Sequence, residues 1–120
     1  MFLGTAMART ASGEPVSTSE FLLGNQRYDA QLVWGSFGDE ARRALQERGG
    51  SVQALQQQMN AARESGFAME DVTYVGGRDL PNGGSMQFYL VGVRQQARGD
   101  LEYVPYTFTL DRGGKIARVQ

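Results

Sequence analysis

Tyrosine and aspartate are the side chains of this sequence that are best suited to acid–base chemistry. The chain contains no histidine and no cysteine, so it lacks the commonest general base, the thiolate nucleophile and the usual ligands of transition metals. Its carboxylates do not follow the spacing of a calcium loop. The sequence therefore predicts no metal and no cofactor, and it leaves a carboxylate paired with a tyrosine hydroxyl as the remaining catalytic possibility.

Each of these tyrosines and aspartates also has a structural interpretation. Tyrosines that alternate along a strand are usually core or half-buried sheet residues. Asp100 follows Gly99 in a predicted hairpin turn, where aspartate is favoured for backbone reasons. We therefore assign no catalytic residue. If the fold encloses a ligand pocket, the candidates to line it are the aromatic and acidic residues Tyr28, Trp34, Phe37, Asp71, Tyr89 and Tyr106.

Length and charge restrict the class of protein. The 120 residues fit one domain with a substantial core, and the formal net charge of −1 gives no basic footprint for nucleic acid. No apolar run approaches the roughly 20 residues of a membrane span. The first eight residues lack the basic start of a signal peptide. We expect a soluble protein, either cytoplasmic or exported after loss of a targeting segment.

The N-terminal half has the spacing of helices. Residues 1–16 carry glycine and proline without a period and are predicted to form a flexible arm, followed by one domain over residues 17–120. Ser17 and Glu20 match a capping box for a first helix that runs to about Trp34. Asp39 and Ser51 are predicted to cap two further helices, of which the last has one apolar stripe formed by Val52, Leu55, Met59 and Ala62.

The C-terminal half has the pattern of four antiparallel strands. Residues 72–75, 86–93, 101–110 and 115–119 are rich in β-branched and aromatic residues and are separated by glycine-rich turns. Pro105 cannot donate a ladder hydrogen bond, so it predicts a bulge or an edge position, and a bulge would add curvature. Helices followed by a meander predict an α+β domain, with the helices on one face of a curved sheet of four or more strands.

The expected core draws on both halves of the chain. Apolar residues at helical spacing and at alternate strand positions should meet between the helices and the sheet. They are Phe21, Leu22, Leu32, Trp34, Leu45, Val52, Leu55, Met59, Phe88, Leu90, Phe108 and Leu110.

Two stretches carry a resemblance to a known family. They are the helical run Arg27-Tyr28-Asp29-Ala30 through Val33-Trp34-Gly35-Ser36-Phe37, and the final hairpin from Tyr106 to Ile116, with its Leu-Asp-x-x-Gly-Lys-Ile pattern. The layout resembles the nuclear transport factor 2-like superfamily, which includes ketosteroid isomerase and the SnoaL-like cyclases. Within it, the chain is most similar to small bacterial accessory domains of unknown function. The resemblance implies a cystatin-like cone that hosts enzymes, binders and spacers alike.

Two functions of different classes follow from these observations. One is a non-catalytic domain that binds a small apolar molecule or assembles with another protein. The alternative is a histidine-free isomerase, lyase or cyclase that acts on a small apolar substrate through an Asp/Tyr pair in the cone. Residues 86–93 are apolar at both parities, so we also expect a homodimer through the sheet face, formed by Tyr89, Val91 and Val93 with Tyr103 or Tyr106.

Overall fold

A computed structural model describes residues 13–120, so the predicted N-terminal arm lies largely outside the described residues. The described part contains four helices followed by four strands. The helices are α1 (Val16–Arg27), α2 (Ala30–Ser36), α3 (Asp39–Glu47) and α4 (Val52–Glu64). The strands are β1 (Ala68–Asp79), β2 (Ser85–Arg94), β3 (Leu101–Leu110) and β4 (Ile116–Val119). The predicted α+β class is confirmed. Among these helices, none has the length and hydrophobicity needed to cross a bilayer.

The first predicted helix is divided in two at Tyr28. This residue adopts a left-handed conformation with φ of 55°, which ends α1 at Arg27. The Asp29 side chain then accepts a hydrogen bond from the Leu32 amide and begins α2. The prediction of one helix running to Trp34 was therefore wrong, because a left-handed residue cannot continue a right-handed helix.

The helix starts differ from the predicted ones in two of three cases. Ser51 caps α4 by accepting from the Ala54 amide at 3.0 Å, as predicted. The capping box at Ser17 was wrong: α1 begins at Val16, and the Ser17 hydroxyl instead donates to the Gly114 carbonyl oxygen at 2.6 Å. Asp39 is the first residue of α3 rather than its cap, which is Gly38. Tertiary hydrogen bonding therefore replaces the local cap at the start of α1.

The strands form one antiparallel sheet in the order β1-β2-β3-β4. Pro105 pairs with Leu90 without a register shift, so the bulge considered there is absent. It lies beyond the part of β3 that pairs with β4, and is therefore at an edge. The irregularities that bend the sheet occur elsewhere: two lie in β1, and one lies where β3 meets β4.

The sheet has a covered inner face and an exposed outer face. Val91, Val93 and Tyr89 of β2 point inward and are buried with Phe108, Leu110 and Ile116. Phe88 and Leu90 point outward and are 36% and 41% exposed. Their predicted place in the core was wrong, and so was the choice of Tyr89, Val91 and Val93 for a dimer surface. Because strand side chains alternate, choosing the wrong parity exchanges the two faces.

The helices form a second cluster of their own. Ala30, Val33 and Met59 are buried where α2 packs against α4. Gln56 of α4 reinforces this contact, because its amide nitrogen donates to the Tyr28 carbonyl oxygen at 2.8 Å and its amide oxygen accepts from the Ala30 amide. Six residues of the predicted core are only half-buried: Phe21, Leu32, Trp34, Leu45, Val52 and Leu55. The helical layer is therefore less completely filled than the helix–sheet interface.

Candidate ligand-binding cavity between the helices

A cavity of about 400 Å³ lies within the helical layer. Residues of all four helices and of the segment before β1 line it. They are Phe21, Asn25, Tyr28, Val33, Trp34, Phe37, Leu45, Gly50, Ser51, Ala54, Leu55, Gln58, Met59, Ala62 and Phe67. The volume falls within the range of small-molecule sites in proteins. None of the lining residues belongs to a strand, so the sheet supports the cavity without forming its wall.

Aromatic rings make up much of the cavity wall, and one of them joins the cavity to the core. Phe21 meets Phe37 edge-on at 5.9 Å between ring centroids, and it meets Phe108 edge-on at 5.2 Å. Phe108 is fully buried in the helix–sheet core. Phe21 and Phe37 pack against both the helical cluster and the sheet cluster. The inner wall is therefore fixed by the sheet, whereas α3 and α4 form the opposite side.

The polar groups of the wall are few and uncharged. Of the residues from 13 to 120, no lysine, arginine, aspartate or glutamate lines the cavity. The Asn25 amide nitrogen donates to the Phe21 carbonyl oxygen at 2.9 Å, and within residues 13–120 its amide oxygen has no donor. The Ser51 hydroxyl accepts from the Ala54 amide, so its own proton is available to a ligand. An apolar wall with an isolated acceptor and donor suits a neutral ligand.

Tyr28 is the most constrained residue of the cavity. Its hydroxyl donates to the Phe67 carbonyl oxygen across the cavity wall. The Arg63 guanidinium lies over its ring, 5.2 Å from the centroid, and the Gln56 side chain holds its carbonyl oxygen. These contacts maintain a left-handed backbone that a bulky residue seldom adopts. Outlying backbone geometry of this kind is common at ligand sites.

The structure brings three of the six candidate pocket residues together. Tyr28, Trp34 and Phe37 line the cavity. Asp71 does not, because it lies on the exposed outer face of the sheet, where its carboxylate accepts from the Tyr103 hydroxyl at 2.9 Å. Sequence spacing could not separate these groups, because the bulge between Met69 and Asp71 changes which face the later residues of β1 occupy.

The other two candidates, Tyr89 and Tyr106, belong to a row of tyrosines on the inner face of the sheet. Tyr74, Tyr89 and Tyr106 are register partners across β1, β2 and β3. The Tyr89 hydroxyl donates to the Glu14 carboxylate at 2.9 Å and lies 2.7 Å from the Thr18 hydroxyl. Burial raises the pKa of the Tyr89 phenol, although the Thr18 hydrogen bond opposes this shift.

This row was not predicted as a unit, and it is separate from the cavity. Tyr74 extends it by donating to the Gln87 side-chain oxygen at 2.7 Å, and Gln87 donates to the Ser85 hydroxyl. Tyr89 is only 2% exposed. A signal that could have indicated the row is the presence of one inward tyrosine in each of three successive predicted strands, although the register that aligns them depends on the observed pairing.

The described residues contain little that could hold a metal ion. Between residues 13 and 120, no three acidic side chains come together as a metal-binding group. Glu70 is instead paired with Arg94 at 2.8 Å, and this hydrogen bond lowers the pKa of the Glu70 carboxyl. The cavity itself contributes only carbonyl, amide and hydroxyl oxygens that already have partners or face an apolar wall.

Comparisons with known proteins are informative about the fold. A crystal structure of an uncharacterized cystatin-fold protein from Novosphingobium aromaticivorans is similar, with a TM-score of 0.50 and 13% sequence identity. The similarity covers 86% of this chain and 92% of that one. The fold is cystatin-like. No family model matches the sequence, and no curated protein matches it either. At this level of identity the similarity carries the fold and no activity.

Proposed function

We propose that this chain is a non-catalytic binding domain that holds a small, neutral, largely apolar molecule between its helices. The observation that carries the proposal is the 400 Å³ cavity, whose wall, as formed by the described residues, is largely aromatic and aliphatic and has no charged side chain. A molecule that enters this space would gain packing contacts with the apolar wall, and it would stabilise the fold by mass action.

The wall also indicates the chemistry of the ligand. Aromatic faces from Phe21, Tyr28 and Trp34 suit a flat ring system. The amide oxygen of Asn25, which has no donor within residues 13–120, can accept a hydrogen bond from a ligand hydroxyl, and the Ser51 hydroxyl can donate one to a carbonyl. A carboxylate or phosphate would be buried without a cation in the wall, which is costly. The favoured class is therefore a neutral ring compound with one or two oxygen functions.

Catalysis is the alternative, and it needs a carboxylate beside the substrate. Within residues 13–120, two carboxylate–tyrosine pairs form, Asp71 with Tyr103 and Glu14 with Tyr89. The first pair faces outward from the sheet, and the second is bonded under the start of α1. Neither pair lines the cavity. We therefore favour binding over an isomerase or lyase activity, which would require an acid or base within hydrogen-bond reach of the ligand.

The family proposed for the chain is the nuclear transport factor 2-like superfamily. The support is the cystatin-like fold together with the two sequence stretches around Tyr28 and at the final hairpin. Assembly through the sheet is the second candidate function, and it can coexist with ligand binding. It is favoured by the exposed apolar side chains of the outer face, which include Phe88, Leu90 and Tyr103.

The binding role can be tested with the chain's own fluorescence. Trp34 is the sole tryptophan and lines the cavity, so a ligand that enters will change its emission. N-phenyl-1-naphthylamine is a suitable probe because it is neutral, aromatic and fluorescent in apolar surroundings. We expect saturable binding with energy transfer from Trp34. We expect 2-naphthol to compete, and 2-naphthoate to compete at least about tenfold less well because its charge would be buried unpaired.

A matched pair of variants on α4 controls this experiment. Ala62 lines the cavity, whereas its neighbour Ala61 is exposed and does not. Ala62→Leu should reduce binding of N-phenyl-1-naphthylamine by about tenfold or more by filling the space, and Ala61→Leu should leave it unchanged. Equal binding by both variants, or a non-saturable signal, would overturn the proposal.

A further inference from the structure

The cavity follows one face of α4 from the cap of this helix to its last turn. The lining residues of α4 and its cap recur at intervals of three and four positions, which places them on the same helix face. They are Ser51, Ala54, Leu55, Gln58, Met59 and Ala62. Because a helix rises about 1.5 Å per residue, the face from Ser51 to Ala62 is about 16 Å long. The cavity is therefore a groove that runs along the helix.

The turns before and after α4 form the two ends of this groove. At the first end, the Gly50 amide donates to the Leu45 carbonyl oxygen at 2.8 Å. At the second end, the Phe67 amide donates to the Ala62 carbonyl oxygen at 2.9 Å, and the Phe67 carbonyl oxygen accepts from the Tyr28 hydroxyl. All five residues line the cavity. The space therefore extends over the full length of α4.

The volume of the cavity makes the groove narrow. About 400 Å³ distributed over about 16 Å corresponds to a mean cross-section of about 25 Å². A section of this size admits one extended hydrocarbon chain or one flat ring, but not two of them side by side. The middle of the α4 face is formed by Leu55 and Met59, and methionine adapts readily to the shape of an apolar neighbour. The groove therefore suits a molecule that is long and thin.

We propose that the ligand is a neutral ring compound with an unbranched alkyl tail, held lengthwise along α4. The inference rests on the proposed function, to which it adds the length and the shape of the ligand. The aromatic side chains of the wall suit the ring, and one ring fills only part of the groove. With carbon–carbon bonds of about 1.5 Å, a phenol ring and an extended tail of about eight carbons together match the length of the groove.

A series of 4-n-alkylphenols, from 4-ethylphenol to 4-dodecylphenol, measures the length of the groove. Isothermal titration calorimetry on the full chain gives Kd for each compound. We expect Kd to fall about three- to fourfold per added methylene until the tail has about eight carbons. Longer tails should leave Kd unchanged, because their last carbons remain in water.

A branched isomer controls for hydrophobicity. 4-tert-octylphenol has the same ring, hydroxyl and number of carbons as 4-n-octylphenol, but its tail is short and wide. It should bind at least about tenfold more weakly than the unbranched isomer. Equal binding of the two isomers would overturn the inference, because a narrow groove must distinguish them.

A pair of variants on α4 tests whether the tail lies along this helix. Ala54→Leu places a larger side chain in the groove one turn from Ser51, so the plateau in Kd should move from about eight tail carbons to about five. Ala61→Leu, on the exposed side of α4, should leave the plateau where it is. The wild-type series decides the proposal even if Ala54→Leu does not fold.

The possible failures separate this inference from the proposed function. A Kd that is independent of tail length, one that keeps falling up to 4-dodecylphenol, or a plateau that a folded Ala54→Leu protein does not move overturns the inference. The proposed function stands in each of these cases as long as N-phenyl-1-naphthylamine binds saturably. If neither that probe nor any of the alkylphenols binds saturably, both are overturned.

Discussion

The Tyr28 hydroxyl donates a hydrogen bond to the Phe67 carbonyl oxygen and thereby ties the end of α1 to the start of the sheet. Tyr28 and Phe67 are 39 residues apart in the sequence. Both line the cavity, and the bond crosses from the helical layer to the segment that enters β1. The contact therefore fixes the distance between two walls of the proposed ligand site.

Tyr28→Phe should destabilise the fold while it retains the aromatic ring. The substitution leaves the half-buried Phe67 carbonyl without this donor, which we expect to lower the free energy of unfolding by about 1–3 kcal/mol. Urea unfolding followed by Trp34 fluorescence measures the loss. Tyr103→Phe is the control, because the Tyr103 hydroxyl bonds Asp71 at the exposed surface, and it should leave the urea midpoint within error. Equal midpoints for the two variants would contradict a structural role for the Tyr28–Phe67 bond.

Gly24→Ala should destabilise the protein although alanine favours a helix. A Cβ atom at Gly24 would lie 2.6 Å from Cγ2 of Val33, where α1 packs on α2. Helix propensity favours the alanine by about 1 kcal/mol, whereas overpacking in a rigid site costs about 1–3 kcal/mol. We expect a net loss of up to about 2 kcal/mol in thermal or urea unfolding.

Gly35→Ala is the matched control for this clash. It lies in α2, and a Cβ atom there would meet no other atom within 4 Å. We expect it to stabilise the protein by about 0.5–1 kcal/mol. In a Val33→Ala background, Gly24→Ala should cost less than it does in the wild type, because that background lacks the methyl group that the new Cβ would meet. A stabilising Gly24→Ala would show that α1 and α2 separate readily.

The fold class was predictable because hydrophobic period and turn residues are local signals. Ser51 capped its helix as expected, since the residue and its partner amide are three positions apart. The predicted capping box at Ser17 was wrong because the Ser17 hydroxyl donates a hydrogen bond to the distant Gly114 carbonyl oxygen instead. Local patterns therefore held wherever no distant partner competed for the same group.

The cavity and the two faces of the sheet were less predictable from sequence. β2 is apolar at both parities, so alternation alone could not show that Tyr89 points inward and Phe88 outward. Asp71 was placed with the pocket residues, whereas a bulge in β1 sends it to the outer face. These assignments depend on register and on the left-handed turn at Tyr28, which are set by contacts between distant residues.

Thr18 and Tyr89 should be energetically coupled. Their hydroxyl oxygens are 2.7 Å apart and 71 residues apart in the sequence, and both side chains are buried. Because Tyr89 donates its proton to Glu14, the proton between the two hydroxyls comes from Thr18, which shares it with the Pro15 carbonyl oxygen at 3.3 Å. In a double-mutant cycle, Thr18→Val and Tyr89→Phe should each lower the free energy of unfolding by about 1–3 kcal/mol. Their coupling energy should be about 0.5–1.5 kcal/mol, and additive losses would contradict the bond.

Alkaline pH should destabilise the protein through the row of tyrosines. Burial raises the pKa of the Tyr89, Tyr74 and Tyr106 phenols, and the Glu14 carboxylate raises the pKa of Tyr74 further. Above about pH 10 the unfolded chain releases phenolic protons that the folded chain still holds. The stability is therefore intact below about pH 10, and it is lost as the pH rises through the higher pKa values of the folded state.

The measurement is the urea midpoint at several pH values between about 8 and 11.5. The chain has five tyrosines and a single lysine, so the tyrosines should dominate the slope. Tyr89→Phe should lower the free energy of unfolding at about pH 8. It should also make that free energy fall less steeply above about pH 10, because the variant lacks the buried phenol whose pKa differs between the folded and unfolded states. Tyr103→Phe, whose phenol is 53% exposed, should retain most of the wild-type slope. A Tyr89→Phe protein with an unchanged slope would show that this phenol ionises as readily in the folded state as in the unfolded one.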